Sequence, residues 1–322
     1  MKALFLALAL IGPGTIDGGH ETPVEFLGLP ADKVASVLAL PAPERALGER
    51  LFFDPMLSED RSVSCSSCHL PEHGFADDKA LSVGIRGQKT LRNSPTIVNR
   101  ALGKQFMWDG RADTLEEQVL QPIENELEMG LPLAQAIARL AQEPSYVRDF
   151  EAVFGAAPDS ELMARALATF VRAQLRGGSP VDRFRAGARD ALTPAERGGL
   201  WFFESRGGCW RCHSGANFSD EGFHNTGVAS AAGARGDEDA GRFAVTHERA
   251  DTGAFKTPTL RGLVDTAPYM HDGSQDTLAA VVEFYRQGGH ANEHLDEVLA
   301  PIEMTDADAA NLIAFLRALS AD

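Results

Sequence analysis

The chain of 322 residues is long enough for two domains with separate cores, and 44% hydrophobic with 24% charged residues describes an ordinary globular protein, not a disordered or membrane-embedded one. A net charge of −16 repels a phosphate backbone, which excludes nucleic acid as the natural partner and favours a basic protein.

Met1 to Ile11 reads MKALFLALALI, a positive start and an apolar run that Gly12-Pro13-Gly14 breaks. The run is too short to span a membrane and reads as a secretory signal peptide within residues 1–20, so the protein is expected to be exported to the periplasm and not integral to the membrane. A loose leader is expected as far as Pro43. Arg45 to Phe53 has apolar positions at helical spacing, and Asp54-Pro55 stops it.

Cys65-Ser66-Ser67-Cys68-His69 follows, and Cys209-Trp210-Arg211-Cys212-His213 repeats its pattern, so the two pentapeptides use all four cysteines. Two thiols followed at once by an imidazole is the signature of covalent c-type haem attachment: each Cys forms a thioether to a vinyl group and the His becomes an axial iron ligand. The competing reading is one zinc ion clamped by both pairs. Zinc ribbons usually separate their pairs by about 15 to 20 residues and need no His after each, so two haem c groups are the better reading.

Between the motifs, Pro71 to Asn99 is rich in Gly, Pro, Asp and Asn and reads as loop over the first haem. Thr114 to Leu120, Leu131 to Leu140 and Ser160 to Leu175 read as helices, and Gly177-Gly178-Ser179-Pro180 marks a domain boundary followed by a linker to Thr193. Thr193-Pro194-Ala195-Glu196 resembles a capping box, opening a helix whose Gly198-x-x-Trp201-Phe202-Phe203 matches Gly48-x-x-Leu51-Phe52-Phe53. This pairing suggests an internal duplication. A Gly- and Asp-rich loop lies between Asn217 and Asp251, and helices over Thr277 to Tyr285 and Thr305 to Leu319 close the chain. The fold class is therefore mainly α, with two cytochrome c-like domains over 44–178 and 193–322. Each carries one covalent haem, with long ordered loops and little strand.

Leu51-Phe52-Phe53-Asp54-Pro55, Arg92-Asn93-Ser94-Pro95-Thr96, Trp108-Asp109-Gly110-Arg111, Glu128-Met129, Gly241-Arg242-Phe243, Pro258-Thr259-Leu260-Arg261 and Thr266-Ala267-Pro268-Tyr269 stand in this order along the chain. Together they resemble the bacterial di-haem cytochrome c peroxidase family, in its MauG-like branch. The resemblance implies a peroxidase that reacts with hydrogen peroxide at the His69 haem. Electrons would come through the His213 haem from a small cytochrome, a cupredoxin or a protein substrate. Typical members cap the resting first haem with a His from the loop before R-N-S-P-T. Here Ser82 to Gln88 holds no His, which implies an open first haem. His73, four residues after His69, is better read as a loop or propionate contact.

By the same resemblance Glu128 shuttles the proton needed for O–O cleavage, with Gln118 and Pro122 completing the distal pocket, whereas Glu124, Glu126 and Glu128 alone would read as a solvated acidic run. Trp108 matches the family residue between the haems, and core packing is its alternative. Tyr285 falls at the position of the second haem's distal ligand, with Met270 as a competing thioether ligand. Asn93, Thr266 and Pro268 match an interdomain Ca2+ site. MauG-like enzymes that modify a partner carry a surface Trp two residues before the second motif, where this chain has Gly207. The alternatives are a MauG-like oxidase acting on Trp or Tyr of a partner, a non-catalytic di-haem electron carrier, and a peroxide sensor. A homodimer is compatible with each.

Overall fold

The computed structural model describes residues 23–230 and 239–320. The segment read as a signal peptide and residues 231–238 of the Gly- and Asp-rich stretch lie outside the described residues. The described chain is mainly helical: α1 (Ala31–Leu38), α2 (Ala42–Phe53), α3 (Leu115–Glu124), α4 (Leu133–Gln142), α5 (Pro144–Phe154), α6 (Ser160–Arg172), α7 (Pro180–Arg185), α8 (Pro194–Glu204), α9 (Phe243–Thr246), α10 (Leu278–Arg286) and α11 (Asp306–Arg317). The sheet is one antiparallel pair, β1 (Phe223–His224) with β2 (Phe255–Lys256), registered Phe223 to Lys256.

Two apolar cores form, one built from α2 to α6 around Leu51, Phe52, Phe150 and Met163, the other from α7, α8, α10 and α11 around Phe203, Phe218 and Phe315. The same construction appears in both. Helix α2 crosses α6 and α8 crosses α11 so closely that a Cβ on Gly48 would lie 1.9 Å from the Ala166 carbonyl oxygen, and one on Gly199 2.0 Å from that of Asn311. Four residues after each glycine, a Phe packs on a Phe of the partner helix: Phe52 on Phe170 and Phe203 on Phe315, both with centroids 4.9 Å apart. Phe75 and Phe218 complete each cluster. The duplication is real in structure, but its register is Gly48 with Gly199 and Phe52 with Phe203. It is not the Gly48 to Gly198 match read from sequence, because the backbone contact falls on the second glycine of the pair.

Two segments differ from the expected loops. Residues 23–43 are not a loose leader, since α1 buries Val34 and Val37, and Gly177 and Gly178 donate to the carbonyls of Glu25 and Leu27. The expected linker contains α7, opened by a Ser179–Asp182 capping box, with Val181 and Leu192 in the second core. Its Asp182 takes both Arg261 guanidinium nitrogens at 2.7 and 2.9 Å, a pair almost wholly removed from water. Thr193 and Thr305 cap α8 and α11 as their sequences suggest.

Gly199→Ala should lower unfolding stability by about 1–3 kcal/mol, because the new methyl must displace main chain. Gly198→Ala, which meets only the Asn311 side chain, should change it by less than about 1 kcal/mol. Denaturant titration of the two variants would reverse the register if Gly198 proved the sensitive position.

Candidate active site

Each Cys-x-x-Cys-His segment is a tight 3-10 turn running from a core wall into a loop. The thiols belong to different cores, Cys65 to the first and Cys209 to the second, so no single ion is clamped by both pairs. Among the described residues the one group of three metal-type donors is Cys212, Asp220 and His224. Burial pushes Cys65 up to about 12 and both Cys68 and Cys209 up to about 11.

The two imidazoles are held alike. Nδ1 of His69 lies 3.1 Å from the Phe75 carbonyl and Nδ1 of His213 lies 3.0 Å from that of Phe218. A carbonyl only accepts, so Nδ1 donates and Nε2 is left with a bare lone pair for a metal. Burial holds both rings below the ordinary imidazole value, opposed by the Phe75 and Pro95 carbonyls for His69 and by those of Phe218 and Pro258 for His213. Phe75 and Phe218 both have positive φ, 58° and 49°, the turn that aims each carbonyl at its histidine.

His69 opens on a cavity of about 580 Å³ lined also by Trp108, Gln118, Pro122, Asn125 and Glu128, and an adjoining cleft adds Cys65, Cys68, Phe52 and Met129. All four candidate catalytic residues therefore share a cavity with the first histidine. Helix α3 places them: Thr114 caps it, and Pro122, lacking an N–H, leaves the Gln118 carbonyl without its helical donor. Asn125 then organises the exit turn, accepting from the N–H groups of Leu127, Glu128 and Gly130 and donating from Nδ2 to Glu128 Oε1 at 2.7 Å. Of the acidic run, Glu124 and Glu126 are exposed while Glu128 faces the cavity. Burial raises its carboxyl above the ordinary range, against the Asn125 hydrogen bond and the Arg111 charge.

The loop Ser82 to Gln88 contributes no side chain to either cavity. It is pinned on the Glu128 turn instead, with Ile85 N–H on the Glu128 carbonyl at 2.9 Å and Gln88 Nε2 on that of Glu126 at 3.2 Å.

Tyr285 lies on α10, where burial raises its phenol above the ordinary value, followed by the influence of Cys212 and Cys209, which puts it beside the second motif. Met270 sits in a turn with φ 74°, its carbonyl accepting from Gly273 N–H. Asn93 and the 266–271 segment meet at the seam between the halves: Asn93 N–H donates to the His271 carbonyl at 2.7 Å and its Nδ2 to the carbonyls of Lys79 and Ala80.

The sequence singles out Trp108, Asn93, Arg92 and Asp109 by motif, but not the partners that the seam gives them. Trp108 Nε1 donates to the Asn93 carbonyl at 2.8 Å, while its own carbonyl accepts from Lys256 N–H of β2. His271 stacks on Phe255 at 3.5 Å and lies 6.3 Å from Trp108. Arg92 binds Asp109 and Asp239, and Arg100 binds Glu221. Only the long-range fold brings these partners together; Asn125 alone offered a local clue, as a turn residue three before Glu128.

An iron porphyrin fits the donor set, two free thiols and an imidazole with an open Nε2, which occurs twice, and at His69 an apolar-walled cavity adjoins it. Fold and site thus define a di-haem c-type enzyme. A family model described as "Di-haem cytochrome c peroxidase" matches residues 42–190. The methylamine utilization protein MauG of Methylorubrum extorquens is 39% identical over 285 residues, covering 87% of this chain and 79% of its own. The cytochrome-c peroxidase IdrP1 of a Pseudomonas species is 33% identical, covering 98% of this chain and 90% of its own. Among solved structures, a MauG-like protein associated with microbial copper homeostasis superposes with a TM-score of 0.82 at 31% identity, over 91% of this chain and 92% of that one. The chain belongs to the di-haem cytochrome c peroxidase family that includes MauG, and is a di-haem peroxidase-type enzyme with covalent haem c.

The raised Glu128 carboxyl makes the folded chain hold that proton longer than the unfolded chain. Stability from this group is full below its ordinary value of 4.5 and is lost as pH rises through the higher folded value. Glu128→Gln should remove this loss and flatten stability between those pH values in denaturant titrations; superimposable curves would show a solvated carboxylate. Tyr285→Phe should alter the low-spin ferric signal in electron paramagnetic resonance, and a change confined to Met270→Leu would move the ligand assignment to Met270.

Proposed function

We propose that this chain is an exported, periplasmic peroxidase that reduces hydrogen peroxide in the His69 cavity and draws electrons through the His213 half from a small redox protein. The observation that carries it is the buried Glu128 carboxyl facing the same cavity as His69, with no side chain from residues 82–88 entering. Held by Cys65, Cys68 and His69, the haem would supply an iron able to receive peroxide and to store oxidising equivalents. Glu128 takes the proton from the inner peroxide oxygen and returns it to the outer one, so that the departing oxygen leaves as water. Its raised carboxyl holds a proton more readily than a solvated carboxylate does, which suits both directions. Two electrons and two further protons complete the conversion of peroxide to two waters.

Gln118 and Pro122 wall the cavity, and Gln118 is steadied by a Nε2 contact with Met107 Sδ at 3.9 Å. In this reading Trp108, hydrogen-bonded to one half at Asn93 and to the other at Lys256, relays electrons across the seam. Tyr285 would supply the second haem's other protein ligand. The Asn93 Oδ1 and the carbonyls of Thr266 and Pro268 would hold Ca2+, whose hard charge suits oxygen donors. No helix among the described residues is long and apolar enough to cross a membrane.

A second reading, oxidation of Trp or Tyr on a partner protein, is favoured by the likeness to MauG and by Trp201 and Trp210, 58% and 48% exposed. Against it, a Cβ on Gly207 would lie 2.7 Å from the Phe202 ring, leaving no room for the Trp that such enzymes carry at this position.

Rapid mixing of the ferric di-haem protein with hydrogen peroxide should change the spectrum of the first haem, and Glu128→Gln should slow that change about 10²–10⁴-fold while both haems stay attached. Peroxide kinetics untouched by the substitution would remove Glu128 from the mechanism. A wild-type spectrum indifferent to peroxide would leave an electron carrier.

A further inference from the structure

We propose that Lys256 is a haem-binding residue acting across the seam, its ammonium receiving a propionate carboxylate of the haem anchored by His69. The assignment rests on the placement of the first haem in the His69 cavity given above. Lys256 ends β2 in the second half of the chain, and its N–H donates to the Trp108 carbonyl at 2.8 Å. The residue is 8% exposed and lines the same cavity as His69 and Trp108, to which neither His213 nor Tyr285 contributes.

Four cationic side chains line that cavity, and three are already committed. Arg92 spans Asp109 and Asp239 with nitrogen to oxygen distances of 2.7–2.8 Å. Arg111 is held by Asp109 and Gln121. Arg100 grips both oxygens of Glu221 at 3.1 and 2.9 Å. Among the described residues the one carboxylate paired with Lys256 is Glu221 at 3.7 Å, beyond hydrogen-bond reach, and Arg100 already engages both of its oxygens. Among the described residues, Arg100 and Lys256 therefore share one close carboxylate, Glu221, with Asp220 as the further negative charge acting on the lysine, in a site shielded from water.

A buried cation with three donors and no acceptor is costly, and the protein relieves it either by losing the proton or by gaining an anion. Burial, then repulsion from Arg100, pushes the lysine down to about 7, so without an anion it gives up its proton easily, whereas an anion at its side would keep it charged. A c-type haem tethered at Cys65 and Cys68 brings two carboxylates into this cavity. One of them on Lys256 would satisfy the ammonium and tie a first-half cofactor to a second-half strand. A fixed positive charge near the porphyrin favours the reduced metal, so the first haem's potential would depend partly on a residue of the other half.

The test uses the full-length di-haem protein in wild-type form and as Lys256→Met, Lys256→Gln and Lys256→Arg. Haems per chain are counted by mass and pyridine haemochrome, and each haem's midpoint potential is read by spectroelectrochemistry. In Lys256→Met and Lys256→Gln the first haem's potential should fall while the second haem's stays put, and Lys256→Arg should restore it. An unchanged first-haem potential, or a shift confined to the second haem, would overturn the assignment. A wild-type protein carrying fewer than two haems would instead fail the reading beneath it.

Discussion

The hydrogen bond from a buried imidazole to a main-chain carbonyl, made once at His69 and again at His213, is the constraint around which both halves are arranged. It fixes which ring nitrogen is free, and it can form only if the chain turns through a left-handed residue at Phe75 or Phe218. Those phenylalanines then fill the space between two helices whose crossing is set by a glycine, Gly48 or Gly199. Further out, Thr96 donates its hydroxyl to the Gly74 carbonyl and Thr259 to that of Asn217, each one residue before the Phe that holds the imidazole. Close helix crossing, aromatic cluster, turn and imidazole are thus one unit used twice.

What the two units do not share lies at their junction. A chain with net charge −16 nevertheless concentrates arginines and a lysine at the seam, with Arg92 on Asp109 and Asp239, Arg100 on Glu221, and Arg242 on the carbonyls of Asp109 and Gly110. Charge-assisted bonds of this kind are directional, so they fix orientation as well as adding attraction. Among them Trp108 is held between the halves by neutral hydrogen bonds, its indole N–H donating to the Asn93 carbonyl and its own carbonyl accepting from Lys256 N–H. An electron relay placed there would have a fixed geometry without needing an apolar interface.

The two motifs, the fold class and most helices were legible because their signals are local: C-x-x-C-H spacing, helical periodicity, and threonine caps at 193 and 305. Glu128 was legible only through resemblance, since three glutamates at alternate positions look solvated until Asn125 turns one of them inward. The one-residue slip in the duplication has a plain cause. Sequence matching weighs glycine and aromatic identity, whereas packing weighs which glycine meets a backbone carbonyl. Helix α1 and the contacts of residues 25–28 with Gly177 and Gly178 went unseen because an apolar leader followed by prolines carries no trace of a partner about 150 residues away. Lys256 belongs to the same class: nothing near it in sequence marks it as buried, and its partners come from both halves.

The proposed difference in chemistry between the halves would rest on what each places near its haem motif. In the first, a carboxyl with raised proton affinity can give and take a proton without itself acting as a metal ligand in the proposed set. In the second, the nearby group is a phenol buried deeply enough that ionising it is unfavourable without a compensating positive charge. Under the proposed ligand set the ferric iron is that charge, so loss of the phenolic proton and occupation of the second haem's open face would be one event. A phenolate is a harder donor than a thioether and favours the more oxidised metal. One scaffold would then yield a site that admits an oxidant and a site that holds oxidising equivalents, with the distinction resting on two side chains, Glu128 and Tyr285, carried by non-equivalent helices.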